Sequence, residues 1–192
     1  MNKQTEFHDV HAVNDGLFST QSGVLIDIRK PTPAMIRIED IALALGNYCR
    51  FGGHVSRFYS VAQHSVLVSR MAPGYLKKAA LIHDFAEAYL GDVIKPLKVI
   101  LGANYKELEH RFEVVIHQRF EVHLNQGVKD DIAKFDRKAV EIEDKAFKAG
   151  DYHDFAEHMR RLCPDEPMYW NQRYAKMRLL LEFKTLFGAD EQ

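Results

Sequence analysis

Apolar residues recur at helical spacing over most of the chain, and this period dominates from Met35 onward. Ile38, Ile41, Ala42, Leu45 and Tyr48 form one stripe ended by Gly52-Gly53, which predicts a first core-facing helix. Ser60 opens a second, with Val61, His64, Leu67, Val68 and Met71 in line and Pro73-Gly74 closing it. Tyr75 to Leu90 reads as a third helix. Its Leu76, Ala79, Ala80, His83, Phe85, Ala86 and Tyr89 cover much of the circumference, the pattern of a central helix, and Gly91 ends it. Pro96 marks the loop that follows. Tyr105 to about Val122 predicts an amphipathic helix with Leu108, Phe112, Val115, Ile116 and Phe120 inward. Asp130 to about Lys148 predicts another, carrying Ile132, Phe135, Val140 and Ile142, and a last one runs from about Glu166 or Tyr169 to Leu186. Met1 to Pro33 departs from this period. There Val24-Leu25-Ile26-Asp27-Ile28 follows Ser22-Gly23 and stops at Lys30-Pro31-Thr32-Pro33, a short strand or hairpin. No repeat, low-complexity tract or linker divides the chain. The pattern therefore predicts one domain over 1–192, an all-α, compact helical bundle with a short extended N-terminal element.

Composition narrows the function classes more than the fold. A chain of 192 residues, 46% apolar and 28% charged, buries a sizeable core without staples. Its net charge of −1 supplies no basic field for a nucleic acid polymer or an anionic membrane, so an anionic ligand must be attracted locally. The longest apolar runs fall short of the roughly 20 residues of a membrane span. Met1 to Ser19 lacks the apolar core of a secretory signal. Cys49 and Cys163 are far apart and in no C-x-x-C pattern, which suits two free thiols in a reducing compartment. The expectation is a soluble, cytoplasmic protein with no membrane partner.

Ten histidines invite a search for metal ligands. His64 sits on the inward stripe of the second helix. His83-Asp84 interrupts the apolar run Ala79-Ala80-Leu81-Ile82 and Phe85-Ala86, where an unpaired carboxylate is expensive to bury. Asp136 follows Phe135, one turn after Ile132. Taken singly, His64 reads more readily as a hydrogen-bonded core histidine than as a ligand, and Asp136 reads as well as a solvated helix residue. Together they make a mixed nitrogen and oxygen set suited to Mn, Fe, Co, Zn or Mg. His54 lies in a Gly-Gly-His loop near Arg50, where it can reach a substrate. His110, His117, His153 and His158 read as solvent-facing, and Asn171-Gln172-Arg173-Tyr174 matches no motif.

Gln63-His64-Ser65, then His83-Asp84 with Glu87 and Gly91-Asp92, then Pro96-Leu97-Lys98 resembles the HD-domain phosphohydrolases. The likeness spans roughly residues 36 to 144 and is strongest to the branch of bacterial 5′-deoxynucleotidases and small phage-type deoxynucleoside triphosphohydrolases. It implies one divalent metal ion held by His64, His83, Asp84 and Asp136, with Asp131 and Asp144 as competitors for the last place. Glu87 corresponds to the acidic residue that orients or activates the attacking water, and Asp92 to the one near the sugar or leaving group. Arg50 stands where the deoxynucleotidases carry an Arg-Trp pair that contacts phosphate and sugar. Here Phe51 replaces the indole with a smaller ring, so the family's sugar selectivity does not carry over unaltered. Lys98 matches a family lysine and Lys95 flanks the same proline. Both are candidates to neutralise phosphate. The resemblance implies a nucleotide substrate and leaves room for a homo-oligomer, a dimer or larger. Its leading expectation is hydrolysis of deoxynucleoside 5′-monophosphates. The alternatives are release of triphosphate from a deoxynucleoside triphosphate and, from another class, a helical binding module without catalysis.

Overall fold

The computed structural model describes residues 16–188. The reading of Met1 to Ser19 as lacking a secretory signal falls mostly on positions 1–15, outside the described residues. Within them, strand β1 (Leu17–Ser19) pairs antiparallel with β2 (Leu25–Asp27), placing Phe18 opposite Ile26. Eight α-helices follow: α1 (Ile38–Asn47), α2 (Val61–Met71), α3 (Lys77–Leu81), α4 (Glu87–Leu90), α5 (Lys95–Arg119), α6 (Gln126–Phe147), α7 (His153–Leu162) and α8 (Gln172–Phe187). The protein is all-α apart from this hairpin, as the period of the sequence requires. Asp40, buried in the first turn of α1, accepts from the Ser22 amide (3.0 Å) and hydroxyl (2.5 Å) and so ties the hairpin to the bundle.

The helix starts follow local chemistry. Ser60 caps α2 by accepting from the Gln63 amide, Asn125 caps α6 through Val128, and Asn171 caps α8 through Tyr174. The Asn171-Gln172-Arg173-Tyr174 segment is thus a helix start. Pro96 does not mark a loop. It occupies the first turn of α5, where its missing amide is no loss, and α5 is interrupted at Gly102 (φ 68°, ψ −142°) before continuing through the predicted Tyr105 segment. Helix α7, absent from the sequence reading, is short and heavily charged, yet it buries Phe155, His158 and Met159.

The largest difference lies in the segment expected as one helix from Tyr75 to Leu90. Between α3 and α4 the chain runs through Ile82–Ala86 in tight turns, with Phe85 N–H donating to Ile82 O and Glu87 N–H to Asp84 O. The His83 Nδ1–H donates to the Ala80 carbonyl (2.8 Å), the acceptor a continuous helix would offer to the Asp84 amide. The side chain thus competes with the backbone ladder and breaks it.

The most enclosed helix is α2, buried from Val61 through Ser69. It packs with α1 and α8. Gln63 reaches from α2 to the 168–170 segment, donating to Met168 O (3.0 Å) and accepting from the Trp170 amide (3.2 Å). Gly46 lets α1 and α8 approach closely: a Cβ there would lie 3.1 Å from Gln172 O and 3.2 Å from Lys176 N, both backbone atoms of α8. Replacing Gly46 by Val is expected to destabilise the fold by about 1–3 kcal/mol through overpacking. Urea unfolding checks this, and an unchanged midpoint would show that the two helices can move apart freely.

Candidate metal centre

Three elements deliver the centre. His64 comes from the buried face of α2, His83 and Asp84 from the break between α3 and α4, and Asp136 from α6. The donor atoms of His64, His83 and Asp84 lie mutually within 4.8 Å. Asp84 Oδ2 is 3.5 Å from His64 Nε2 and 3.2 Å from His83 Nε2. Asp136 Oδ1 lies 3.1 Å and 3.8 Å from the same two nitrogens. The competitors are elsewhere: Asp131 pairs with Lys134 and Asp144 with Lys148 on exposed turns of α6.

The two imidazoles are held from behind. His64 Nδ1–H donates to Glu143 Oε1 (2.7 Å) and His83 Nδ1–H to Ala80 O. Their Nε2 atoms are buried and face the carboxylates of Asp84 and Asp136. With Nδ1 carrying the proton, each Nε2 turns a lone pair toward the two carboxylates, the arrangement of metal-binding histidines. Donors about 2.1 Å from a common ion sit about 3.0–3.4 Å apart along the edges of a tetrahedron or octahedron. Most of the separations fall near that range. The residues fit a borderline divalent cation.

Electrostatics agree with the geometry. Burial opposes ionisation of Asp84, yet His83, His64 and Arg50 outweigh it and hold the carboxyl far below its ordinary range. Burial likewise opposes ionisation of Asp136, and hydrogen bonding to His64 and His83 reverses the effect. Both histidines are raised: burial lowers them, but Glu143 and Asp136 prevail at His64, and Asp84 and Asp136 at His83. Glu87, buried as the first residue of α4, is pushed up to about 8 by burial and by the charges of Asp84 and Asp92. Lys98 at 3.2 Å opposes this without cancelling it. Asp92 is raised by burial and by Asp84, against Arg50.

The expected substrate residues divide. Arg50 is buried, with Nη1 3.4 Å from Asp84 Oδ2 and Nε 3.3 Å from Glu143 Oε2, so much of its fork faces protein carboxylates. Phe51 lies beside it, the guanidinium 5.5 Å from the ring centroid, in a left-handed conformation (φ 58°) rare for an aromatic residue. Lys98 pairs with Glu87 and, at 2.8 Å, with Glu109. Lys95 is exposed on the first turn of α5. His54 is exposed too. Two of the histidines read as solvent-facing are not: His158 is buried, its Nδ1 3.3 Å from Arg161, and His117 is half-buried and pushed down to about 4 by burial, Lys129 and His110. His117 lines a cavity of about 200 Å³ that reaches His83 and Asp136. A larger cleft of about 350 Å³ between α6 and α7 contains none of the four donors. Sequence reasoning missed Glu143. Its signal was its place two turns after Asp136 on one face of α6.

No protein-family model matches the chain. It is similar to the uncharacterized protein YfdR of Escherichia coli (strain K12), 48% identical over 85 residues, or 44% of this chain and 47% of that protein. It is also similar to an uncharacterized protein of Rhodobacter capsulatus, 43% identical over 108 residues, or 52% of this chain and 55% of that one. The chain thus spans about half the length of the curated relatives it matches. Among the described residues, no helix is long and apolar enough to cross a membrane.

The charges of the centre set a pH dependence for the metal-free protein. Asp84, Asp136 and Glu143, all lowered, favour folding above about pH 4 and lose that contribution as pH falls. His64 and His83, both raised, contribute fully below about pH 6.5 and lose it as pH rises through their folded values; Glu87 and Asp92 act in the same direction from about pH 4 upward. Chelator-treated protein is therefore expected to melt lower at pH 9 than at pH 6. Zinc-saturated protein is not, because metal favours deprotonated histidine. Thermal melts across that range check both arms, and equal stability of the chelated protein at pH 6 and pH 9 would contradict the assigned cluster.

Proposed function

We propose that this protein is a metal-dependent phosphohydrolase of the HD superfamily acting on nucleotides, with deoxynucleoside 5′-monophosphates as its substrate class. One observation carries the reading: two imidazoles, one fully and one mostly buried, are fixed through Nδ1 and aim their Nε2 atoms at Asp84 and Asp136. His64, His83, Asp84 and Asp136 would hold one divalent ion. Such an ion supplies Lewis acidity, drawing charge from a phosphoryl group and lowering the pKa of water.

The chain's own residues supply the rest. Glu87, raised to about 8 by burial and by Asp84 and Asp92 while no cation is bound, would take the proton of the attacking water as a carboxylate, the form that a divalent ion beside it favours. Asp92, also raised and with a buried Oδ2 that lacks a partner, is suited to return a proton to the departing sugar oxygen. Arg50 balances charge on the phosphate, and Phe51 beside it offers an apolar face to the sugar. The distribution of cations favours the monophosphate over the triphosphate. Arg50 and Lys98 are both engaged by protein carboxylates, and Lys95 is out on an exposed turn, so a long polyanion finds few uncommitted partners.

A panel of deoxynucleoside mono- and triphosphates assayed with Mn, Co, Mg and Zn tests the reading. Orthophosphate from monophosphates is the expected product. Tripolyphosphate from triphosphates would transfer the protein to the alternative reaction, and a chain that holds no divalent ion and hydrolyses nothing would be a binding module. Asp84→Ala is expected to lose both metal and turnover while remaining folded by circular dichroism. Glu87→Gln is expected to keep metal and lose about 10²-fold or more in turnover, the usual scale of general acid–base assistance. Wild-type turnover in Glu87→Gln would remove that residue from the proton transfer and leave the metal assignment standing.

A further inference from the structure

Glu143 is 1% exposed, in the interior of α6, where an apolar residue would pack at no electrostatic cost. Its surroundings are specific. Oε1 accepts from the Tyr59 hydroxyl (2.6 Å) and from His64 Nδ1–H (2.7 Å), and Oε2 lies 3.3 Å from Arg50 Nε. Tyr59 and His64 are themselves fully buried and Arg50 nearly so. One carboxylate therefore touches both a donor of the metal centre and the cation that flanks Asp84. Glu143 sits on the far side of the His64 ring from Asp84 and Asp136, which rules it out as a direct ligand through that imidazole and leaves it to act from behind.

We propose that Glu143 is the positioning residue of this centre: it locks His64 in the tautomer whose Nε2 lone pair faces Asp84 and Asp136, and fixes Arg50 beside them, so that affinity for a divalent cation depends on it. The inference rests on the metal reading given above. A neutral imidazole has one ring proton, and a hydrogen bond to an anionic acceptor at Nδ1 removes the other tautomer and adds basicity to Nε2. Without that anchor, His64 can rotate or place its proton on Nε2, where it blocks coordination. The backbone carbonyl of Ala80 does the same for His83. A carbonyl cannot be altered by substitution, whereas Glu143 can.

Zinc and manganese titrations of the full chain by calorimetry, on wild type and Glu143→Gln, decide the matter. The amide side chain keeps the size and one acceptor but removes the charge. The expected result is an affinity about 10- to 100-fold weaker, the usual cost of losing an outer partner of a ligating histidine. Glu182→Gln, which weakens a part-buried pair with Arg70 that touches none of the four donors, serves as the control for lost stability alone: it should lower Tm and leave metal affinity as in wild type. A second measurement needs no variant. In zinc-loaded wild type, long-range ¹⁵N–¹H NMR should show His64 protonated at Nδ1 and coordinated through Nε2. Equal affinities for wild type and Glu143→Gln, or His64 bound through Nδ1, would overturn the inference. A wild type that takes up neither metal overturns the metal reading itself, and the two failures are told apart by whether wild type binds.

Discussion

Asp84, Glu87, Asp92, Asp136 and Glu143 gather around the buried His64, and the fixed cations near them are Arg50 and Lys98. Like charges this close and this dry repel strongly, because the interior screens far less than water does. The pKa shifts record how the chain responds on its own. Asp84, Asp136 and Glu143 stay ionised beside cationic partners, while Glu87 and Asp92 are driven toward their neutral forms. Without metal, the raised imidazoles themselves supply the positive charge; a bound divalent ion would supply it instead and leave their Nε2 lone pairs free to coordinate. A divalent cation meets the electrostatic and the geometric requirement together.

Much of the surrounding fold can be understood as what is needed to assemble these groups. Adjacent residues on a continuous helix point about 100° apart, and here the chain leaves the helical ladder of α3 at the His83–Asp84 doublet. The turn at Ile82–Ala86 brings His83 Nε2 within 3.2 Å of Asp84 Oδ2, and the bond from His83 to Ala80 O helps to make that turn. Helix α2 is enclosed on all sides, so the His64 ring has little room to leave its place. Gln63, next to it, clamps the 168–170 segment, and Arg70 at the other end of α2 pairs with Glu166 and Glu182. The 168–170 segment, which carries none of the four donors, therefore walls in α2 beside His64.

What was legible in the sequence follows from which forces are local. The apolar period gave α1, α2, α6 and the body of α5 because burying a stripe at helical spacing is a property of the segment itself. The break after α3 was not legible, since it depends on a side chain taking a backbone acceptor. Helix α7 was hidden by its charge, although Phe155, Met159 and Leu162 keep the right spacing. His64, His83 and Asp84 stood out as polar residues on apolar faces and Asp136 through the resemblance, and the structure clusters the first three with Asp136 3.1 Å and 3.8 Å from the two imidazoles. Glu143 did not stand out: among Glu141, Asp144 and Lys145 it looks like one more solvated charge, and only its long-range contacts to Tyr59, Arg50 and His64 distinguish it. The engagement of Lys98 by Glu87 and Glu109 is likewise a pairing across elements that no local pattern reports.

The two sides of the centre are built differently, and this bears on how selectivity can change. The donor side comes from buried helices and a turn wedged between them, where a shift of one residue disturbs several contacts. The Arg50–Phe51 side is a loop. Phe51, Gly52 and Gly53 all have positive φ, and a Cβ at Gly52 would come within 3.3 Å of the Ile94 side chain, just before the α5 turn that carries Lys98. The ring of Phe51, partly buried against the core, also has cationic neighbours, Arg50 at 5.5 Å and Lys148 at 4.6 Å. Exchanging one aromatic ring for another at such a place alters the surface offered to a ligand without disturbing His64, His83, Asp84 or Asp136. On the proposed reading, the Phe51 ring and the buried donors sit on separate elements, so the surface offered to a ligand can change with less effect on the metal site.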